Sequence, residues 1–146
     1  MNEPALSWYV VGTDSVEEID KEYYAGAYSP SNTEFTMTLQ VWNNKWGTED
    51  VADIDSPKLV IMFDTIEDAT LLNYCKVRID GGSYEPLTIQ NTTQGYINLN
   101  RILSGASNLG NASASNNFAT IAIKFGPITH GMTNGLKNML LEIQYN

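Results

Sequence analysis

The chain has 146 residues, 17 acidic against 8 basic side chains, and a formal net charge of −9. Phosphate backbones and anionic lipid repel such a chain, which argues against nucleic-acid and membrane partners. Its single cysteine excludes an internal disulfide framework and any multi-cysteine metal site. The length predicts one domain over residues 1–146, with a core large enough to fold without a metal or a disulfide.

The negative charge is concentrated at the start of the chain. Residues 1–60 hold eleven acids and three lysines, a net charge of −8, whereas the remaining 86 residues carry only −1. No acid occurs between Glu85 and Glu142, a stretch rich in Asn, Ser and Thr. Such side chains can hydrogen-bond a partner without the desolvation cost of a buried charge, so a partner is better sought in this neutral half or at its boundary.

The first part of the chain predicts two strands and two loops. Residues 6–11 (Leu-Ser-Trp-Tyr-Val-Val) form a first strand, and the acidic, tyrosine-containing residues 12–31 are expected to form a loop. Residues 35–42 alternate apolar and polar side chains, which is the period of a half-buried strand. Residues 43–57 then form a second acidic loop.

The middle of the chain predicts a central strand and a hairpin. Residues 58–63 are a continuous apolar run behind Pro57, as expected for a strand covered on both faces. Residues 65–72 are expected to form one helical turn. Residues 73–80 and 83–89 are predicted to form two strands joined by a Gly-Gly turn at 81–82.

The last part predicts three further strands. Residues 95–99 form a short strand that leads into a helical turn at 100–105, followed by a low-complexity loop at 105–116. Residues 117–125 and 137–145 both have the composition and alternation of strands, and Met139, Leu141, Ile143 and Tyr145 share one face of the latter. Eight or nine short strands predict an all-β fold, a single antiparallel β-sandwich with jelly-roll or Ig-like Greek-key connections.

Groups for catalysis are sparse. His130 is the only imidazole, and Cys75 lies inside a predicted strand, where a free thiol is usually a small core hydrophobe. The sequence has no nucleophile elbow, phosphate-binding loop or paired-histidine motif. We therefore expect a protein that is not an enzyme, with no catalytic residue and no cofactor.

Calcium is the metal that the composition best suits, because hard cations take oxygen ligands. Neither acidic loop has the regular Asp spacing of a calcium loop, so solvated carboxylates are the preferred interpretation and no metal site is predicted. The carboxylates concerned are Asp50, Asp53 and Asp55 in one loop and Asp14, Glu17, Glu18 and Asp20 in the other.

The candidate binding surface is the polar face of the strand at 35–42. Trp42 falls on this polar side, so its ring is either exposed, with Trp46 nearby, or an edge ring that the following loop half covers. A strand face with Trp, Gln and Thr suits either a protein interface, in which Trp is a favoured anchor, or a sugar-binding platform. The predicted binding residues are Thr36, Thr38, Gln40, Trp42 and Trp46.

The run Thr-Leu-Gln-Val-Trp-Asn-Asn-Lys-Trp-Gly-Thr at 38–48, followed by a Pro-bounded apolar strand, resembles part of the Ig-like or jelly-roll accessory modules of bacteriophage virions. The resemblance implies a head decoration, collar, tail or baseplate protein that contacts protein neighbours, with a homo-oligomer as one form of that contact. A fainter resemblance to cellulosomal carbohydrate-binding modules implies sugar binding instead.

We therefore expect a non-catalytic virion-surface or assembly module, with a carbohydrate-binding module as the alternative. The N-terminus has no basic head followed by an apolar run, so no secretion signal is predicted. The expected location is the virion if the chain is phage-encoded and the cytoplasm otherwise.

Overall fold

The computed structural model describes residues 2–11, 16–19, 22–28, 34–108, 116–126 and 135–145. Within these ranges the chain forms eleven strands and one short 3-10 helix, Asp68–Tyr74. The strands are β1 (Leu6–Val11), β2 (Val16–Ile19), β3 (Glu22–Tyr28), β4 (Phe35–Asn43), β5 (Lys58–Phe63), β6 (Cys75–Ile79), β7 (Glu85–Pro86), β8 (Thr88–Asn91), β9 (Gln94–Asn98), β10 (Phe118–Phe125) and β11 (Gly135–Gln144).

The strands form two antiparallel sheets that pack face to face, which confirms the predicted all-β sandwich. The six-stranded sheet has the order β2-β1-β4-β10-β6-β7, and the five-stranded sheet has the order β3-β11-β5-β9-β8. The two sheets meet through rings such as Phe63 of β5 and Phe125 of β10, whose centroids lie 6.2 Å apart in an edge-to-face arrangement.

Side-chain alternation along the strands places the core between the sheets. In β4, Leu39 and Val41 are fully buried, and their polar neighbours Thr38 and Gln40 point to the outer face, away from the other sheet. The same alternation buries one face of β10 and of β11. Those buried side chains are Ala119, Ile121, Ile123 and Phe125 in β10 and Met139, Leu141 and Ile143 in β11.

The predicted strands at 6–11, 35–42, 58–63, 95–99, 117–125 and 137–145 correspond to β1, β4, β5, β9, β10 and β11. β5 lies between β11 and β9, which makes it a central strand as predicted, but its outer face is covered only at Val60, since Lys58 is exposed and Met62 is half-buried. Tyr145 was expected on the core-facing side, but it lies just beyond β11 and is exposed.

The predicted loop at 12–31 is wrong, because it contains β2 and β3. β2 pairs with β1, with Val11 opposite Val16, and β3 pairs with β11, with Gly135 opposite Tyr28. Both strands are sheet edges, where pairing with a neighbouring strand outweighs the weak local preference of an acidic segment.

The predicted hairpin at 73–89 is partly confirmed. β6 and β7 pair across a turn in which Asp80 and Gly81 have left-handed backbones, with φ of 49° and 77°. The second predicted strand does not continue in this sheet, because β8 pairs with β9 in the five-stranded sheet. Leu87 is buried at the crossing between the sheets.

Both predicted helical turns need correction. The turn expected at 65–72 is a 3-10 helix that lies slightly later, at Asp68–Tyr74. The turn expected at 100–105 is not helical, because Leu103 exchanges two backbone hydrogen bonds with Ile54, of 2.9 and 3.0 Å, in an isolated antiparallel bridge. Both side chains are fully buried, and this pairing ties the 43–57 loop to the segment before β10.

Cys75 begins β6 and is buried. Burial raises the pKa of its thiol far above the ordinary value, so the side chain stays protonated and acts as a small core hydrophobe. His130 lies outside the described residues. Among the helices that the structure describes, none has the length and apolar character needed to cross a membrane.

Candidate functional site

The predicted binding residues of β4 lie on the outer face of the six-stranded sheet. Thr36 is exposed, and Thr38 and Gln40 are half-buried. They face neighbours on β10, with Thr38 opposite Ala122 and Gln40 opposite Thr120. The part of this face around Thr38 and Gln40 is therefore polar and carries no charge on β4 itself, whereas Thr36 lies opposite Lys124.

Trp42 lies on the same face, but only 3% of the residue is accessible, so the alternative with an exposed ring is wrong and the ring is covered more fully than the half-covered alternative predicts. Its ring stacks on that of Phe118, with centroids 4.4 Å apart and planes at 25°. Its indole Nε1 donates a 3.0 Å hydrogen bond to Oε1 of Gln40. Alternation predicts the face on which a side chain lies, but it does not predict that a ring on the next strand covers it.

The ammonium group of Lys45 lies close to the covered ring of Trp42 and to the ring of Trp46. Its Nζ lies 3.7 Å from the ring centroid of Tyr9, 4.8 Å from that of Trp42 and 6.0 Å from that of Trp46. Cation–π attraction at such distances contributes about 0.5–2 kcal/mol, depending on solvent exposure. The ammonium group therefore holds the start of the loop against the outer face.

Trp46 is the most exposed aromatic side chain of the described residues, at 65%. Its backbone is left-handed, with φ of 65°, and that of Asn44 is left-handed as well, with φ of 60°. Asparagine tolerates this conformation, whereas tryptophan does so only when the surrounding structure compels it. Here the Trp46 backbone N–H donates to Oδ1 of Asn108 at 3.3 Å. We call residues 44–50 the tryptophan loop.

Buried asparagine side chains fix this loop. Asn43 is fully buried at the end of β4, where its Oδ1 accepts the backbone N–H of Ala5 at 3.0 Å. Its Nδ2 donates to the carbonyl oxygens of Ala52 at 3.0 Å and Leu103 at 3.2 Å. One amide thus joins three separate segments of the chain.

Asn44 and Asn117 extend the same network. Nδ2 of Asn44 donates to the carbonyls of Glu49 and Gly105, both at 2.8 Å, which closes the tryptophan loop. Nδ2 of Asn117 donates to three carbonyl oxygens, those of Ser104 at 2.9 Å, Ala106 at 2.8 Å and Asn43 at 3.3 Å. We call Asn43, Asn44 and Asn117 the asparagine network. Its buried amides are all hydrogen-bonded, as a rigid polar network requires.

Gly47 is needed for the close packing of this loop. A Cβ atom at this position would overlap the side-chain amide of Asn44, one member of the asparagine network. The Gly47 carbonyl accepts the N–H of Asn108 at 3.0 Å. Next to Trp46, residues Gly47, Thr48, Ser107 and Asn108 line a shallow pocket of about 350 Å³.

Two of the carboxylates considered as calcium ligands have backbone partners instead. Asp50 accepts the N–H of Ser107 at 2.9 Å, and Asp53 accepts that of Gly105 at 2.8 Å. In the part of the chain that the structure describes, no group of three or more His, Cys, Asp or Glu side chains is placed to hold a metal ion. Asp14 and Asp20 lie outside the described residues, as do the side chains of Glu17 and Glu18.

The outer face of the six-stranded sheet also carries cationic side chains. Lys124 and Lys76 are paired neighbours on β10 and β6, and Arg78 lies opposite Ala122 on the same face. The Arg78 guanidinium carbon and Nζ of Lys124 lie 5.0 and 5.8 Å from the ring centroid of Tyr84. Lys124 also pairs with Glu34 at 3.2 Å. Together with Lys45, this face holds half of the chain's eight basic side chains.

The sequence prediction identified Trp46 but not the residues that hold it. The signal was the run Asn-Asn-Lys-Trp-Gly, because asparagine both tolerates a left-handed backbone and hydrogen-bonds nearby main chain. Asn117 and Asn108 gave no such signal, because they reach the loop only through the tertiary fold. Comparison of the chain with protein-family models, with characterised proteins and with solved structures gave no match.

Proposed function

We propose that this protein is a non-catalytic module that contacts protein neighbours in an assembly through the tryptophan loop and the β4 face beside it. The observation that carries the proposal is that Trp46 is 65% exposed on a left-handed backbone that neighbouring side chains hold in place. A large ring presented in this way loses little conformational entropy on binding. Tryptophan is also among the residues most enriched at the energetic centres of protein interfaces.

The surroundings of Trp46 suit a protein surface. The side chains of Thr38 and Gln40 are polar and uncharged and suit such a contact, whereas Thr36 lies opposite Lys124, whose ammonium group pairs with Glu34. Beyond them, Lys76 and Arg78 form a cationic margin that favours a neighbour with acidic side chains. A flat sugar platform built from two tryptophan rings has less support, because Phe118 covers Trp42.

The kind of assembly that we propose is a phage virion, because residues 38–48 resemble accessory modules of phage virions. In that setting the neighbours are virion proteins, and a further copy of this chain is one of them. The virion is then the place where the module acts. Sugar binding is the alternative that any test has to separate from protein contact.

A photo-reactive benzophenone side chain at position 46 tests the contact directly. We expect irradiation of the assembled particle, or of the producing cells, to give one discrete protein adduct, because the ring at this position meets a neighbour. Ile66 is the matched control position, because it is 66% exposed. It follows the C-terminal end of β5, whereas the tryptophan loop precedes the N-terminal end of this strand. Adducts that are equal at positions 46 and 66 would contradict the proposal.

Light scattering and a glycan array separate the two functions. If the module contacts proteins, we expect either self-association or a cross-linked adduct with a second protein. In that case the glycan array should show no binding that is lost on Trp46→Ala. A strict monomer without any adduct, whose binding to an immobilised glycan is lost on Trp46→Ala, would replace the proposed function with sugar binding.

A further inference from the structure

A second concave site lies at the edge of the sandwich, at the β7 end of the six-stranded sheet and away from its β2 end. It is a cleft of about 600 Å³ between the β6–β7 turn of one sheet and the end of β9 in the other. This volume is within the range of about 300–1,000 Å³ that is usual for small-molecule sites. We call it the edge cleft. The lining residues do not include any member of the tryptophan loop.

The edge cleft has an apolar floor and a polar rim. Val77 and Leu99 lie at the bottom of the cleft and are buried between the sheets, and the apolar side chains that a ligand can touch are the half-buried Ile79 and Ile97. The rim carries two carboxylates, one guanidinium and two amides, together with hydroxyl groups. The charged and amide members of the rim are Asp80, Glu85, Arg101, Asn98 and Asn100.

The charged groups of the rim are fixed before any ligand arrives. Nη1 of Arg101 lies 2.8 Å from Oδ2 of Asp80, whose other oxygen accepts the backbone N–H of Thr120 at 2.9 Å. The side chains of Arg101 and Asp80 nevertheless remain 23% and 39% exposed. Glu85 accepts the hydroxyl of Ser83 at 2.9 Å. These groups can therefore make further hydrogen bonds without first being ordered.

The side chains that line the edge cleft limit the classes of ligand that it can bind. Two carboxylates against one guanidinium disfavour phosphates and other anions, and Arg101 disfavours cations at the same point. An entirely apolar ligand would strip water from the rim without replacing its hydrogen bonds. A neutral polyhydroxylated ring fits both the polar rim and the apolar floor of the edge cleft. Its hydroxyls donate to the carboxylates and accept from the guanidinium and amides, while its C–H face packs on the apolar floor.

From this combination we infer that the edge cleft is a binding site for a neutral sugar, either a terminal residue of a glycan or a short oligosaccharide. The site is separate from the protein contact proposed for Trp46, so either proposal can fail without the other. A peptide segment is the competing occupant, because its amide groups also combine donors and acceptors.

Titration of the isotope-labelled full chain with soluble oligosaccharides tests this inference. The probes are chito-, cello-, manno- and galacto-oligosaccharides at millimolar concentration, followed by amide chemical shifts. We expect at least one of them to perturb residues 80–88 and 98–101 while the amide of Trp46 stays unchanged. The absence of any perturbation, or perturbation confined to the tryptophan loop, would overturn the inference.

Matched variants then identify the groups responsible. Glu85→Gln keeps the size of the side chain but removes a charged hydrogen-bond acceptor. We therefore expect about tenfold weaker binding of the oligosaccharide that perturbs the amide chemical shifts. Arg101→Lys should weaken binding as well, because it loses the planar set of donors. Glu3→Gln is the control, since Glu3 is exposed and lies outside both the edge cleft and the tryptophan loop. Unchanged binding in both cleft variants, with the melting temperature preserved, would contradict the assignment.

Discussion

Replacing Asn43 by alanine is expected to lower the free energy of unfolding by about 3–5 kcal/mol. The side chain is fully buried, and its removal leaves the N–H of Ala5 and the carbonyl of Ala52 without this partner and opens a cavity, whereas the Leu103 carbonyl keeps the N–H of Ile54. Each buried polar group left unsatisfied costs about 1–3 kcal/mol. Urea unfolding followed by circular dichroism measures the difference.

Asn73→Ala is the matched control for this substitution. Asn73 is exposed in the 3-10 helix, where such a change usually alters stability by about 0.5 kcal/mol or less. If Asn43→Ala were as stable as Asn73→Ala, the asparagine network would not hold the tryptophan loop in place. A large loss at position 43 alone supports a structural role for the network.

Phe125→Ala is expected to destabilise the protein by a similar amount, about 3–5 kcal/mol. The Phe125 side chain is fully buried in β10, and its ring meets the edge of Phe63 from the opposite sheet. Its loss leaves a cavity between the two sheets that the surrounding strands fill only in part. The midpoint of urea unfolding should fall accordingly, and the far-ultraviolet spectrum should keep its strand character.

Phe118→Ala provides the comparison on the same strand. Phe118 lies on the outer face, is half-buried and stacks on Trp42, so we expect a smaller loss, of about 1–2 kcal/mol. Equal losses at positions 118 and 125 would contradict the placement of the core between the sheets. A much larger loss at position 125 agrees with it.

The fold class was predictable because alternation and β-branched composition are local signals. β4 and β5 illustrate this, since each was expected within one residue of its bounds. β2 and β3 were missed because their Glu, Gly and Ala residues disfavour strands, although tyrosine favours them, and because both segments depend on β1 and β11 for pairing. The isolated bridge at Leu103 was likewise missed because it depends on pairing with Ile54.

The candidate site was predictable only in part. Trp46 stood out because it lies between Lys and Gly just after a strand, and Trp42 stood out because it falls on the polar side of β4. That Phe118 and Lys45 cover the Trp42 ring depends on strand pairing and on loop conformation. The edge cleft lies between segments of two different sheets, so no pattern along the chain indicated it.

The central claim is that the Trp46 ring meets a protein neighbour while the asparagine network keeps it in place. The most direct measurement is the affinity of the purified chain for the neighbour captured at position 46, determined calorimetrically for the wild type, Trp46→Ala and Ile66→Ala. We predict that Trp46→Ala weakens binding by about tenfold or more and leaves the melting temperature unchanged, whereas Ile66→Ala binds as the wild type does. Equal affinities for the wild type and Trp46→Ala would contradict the claim.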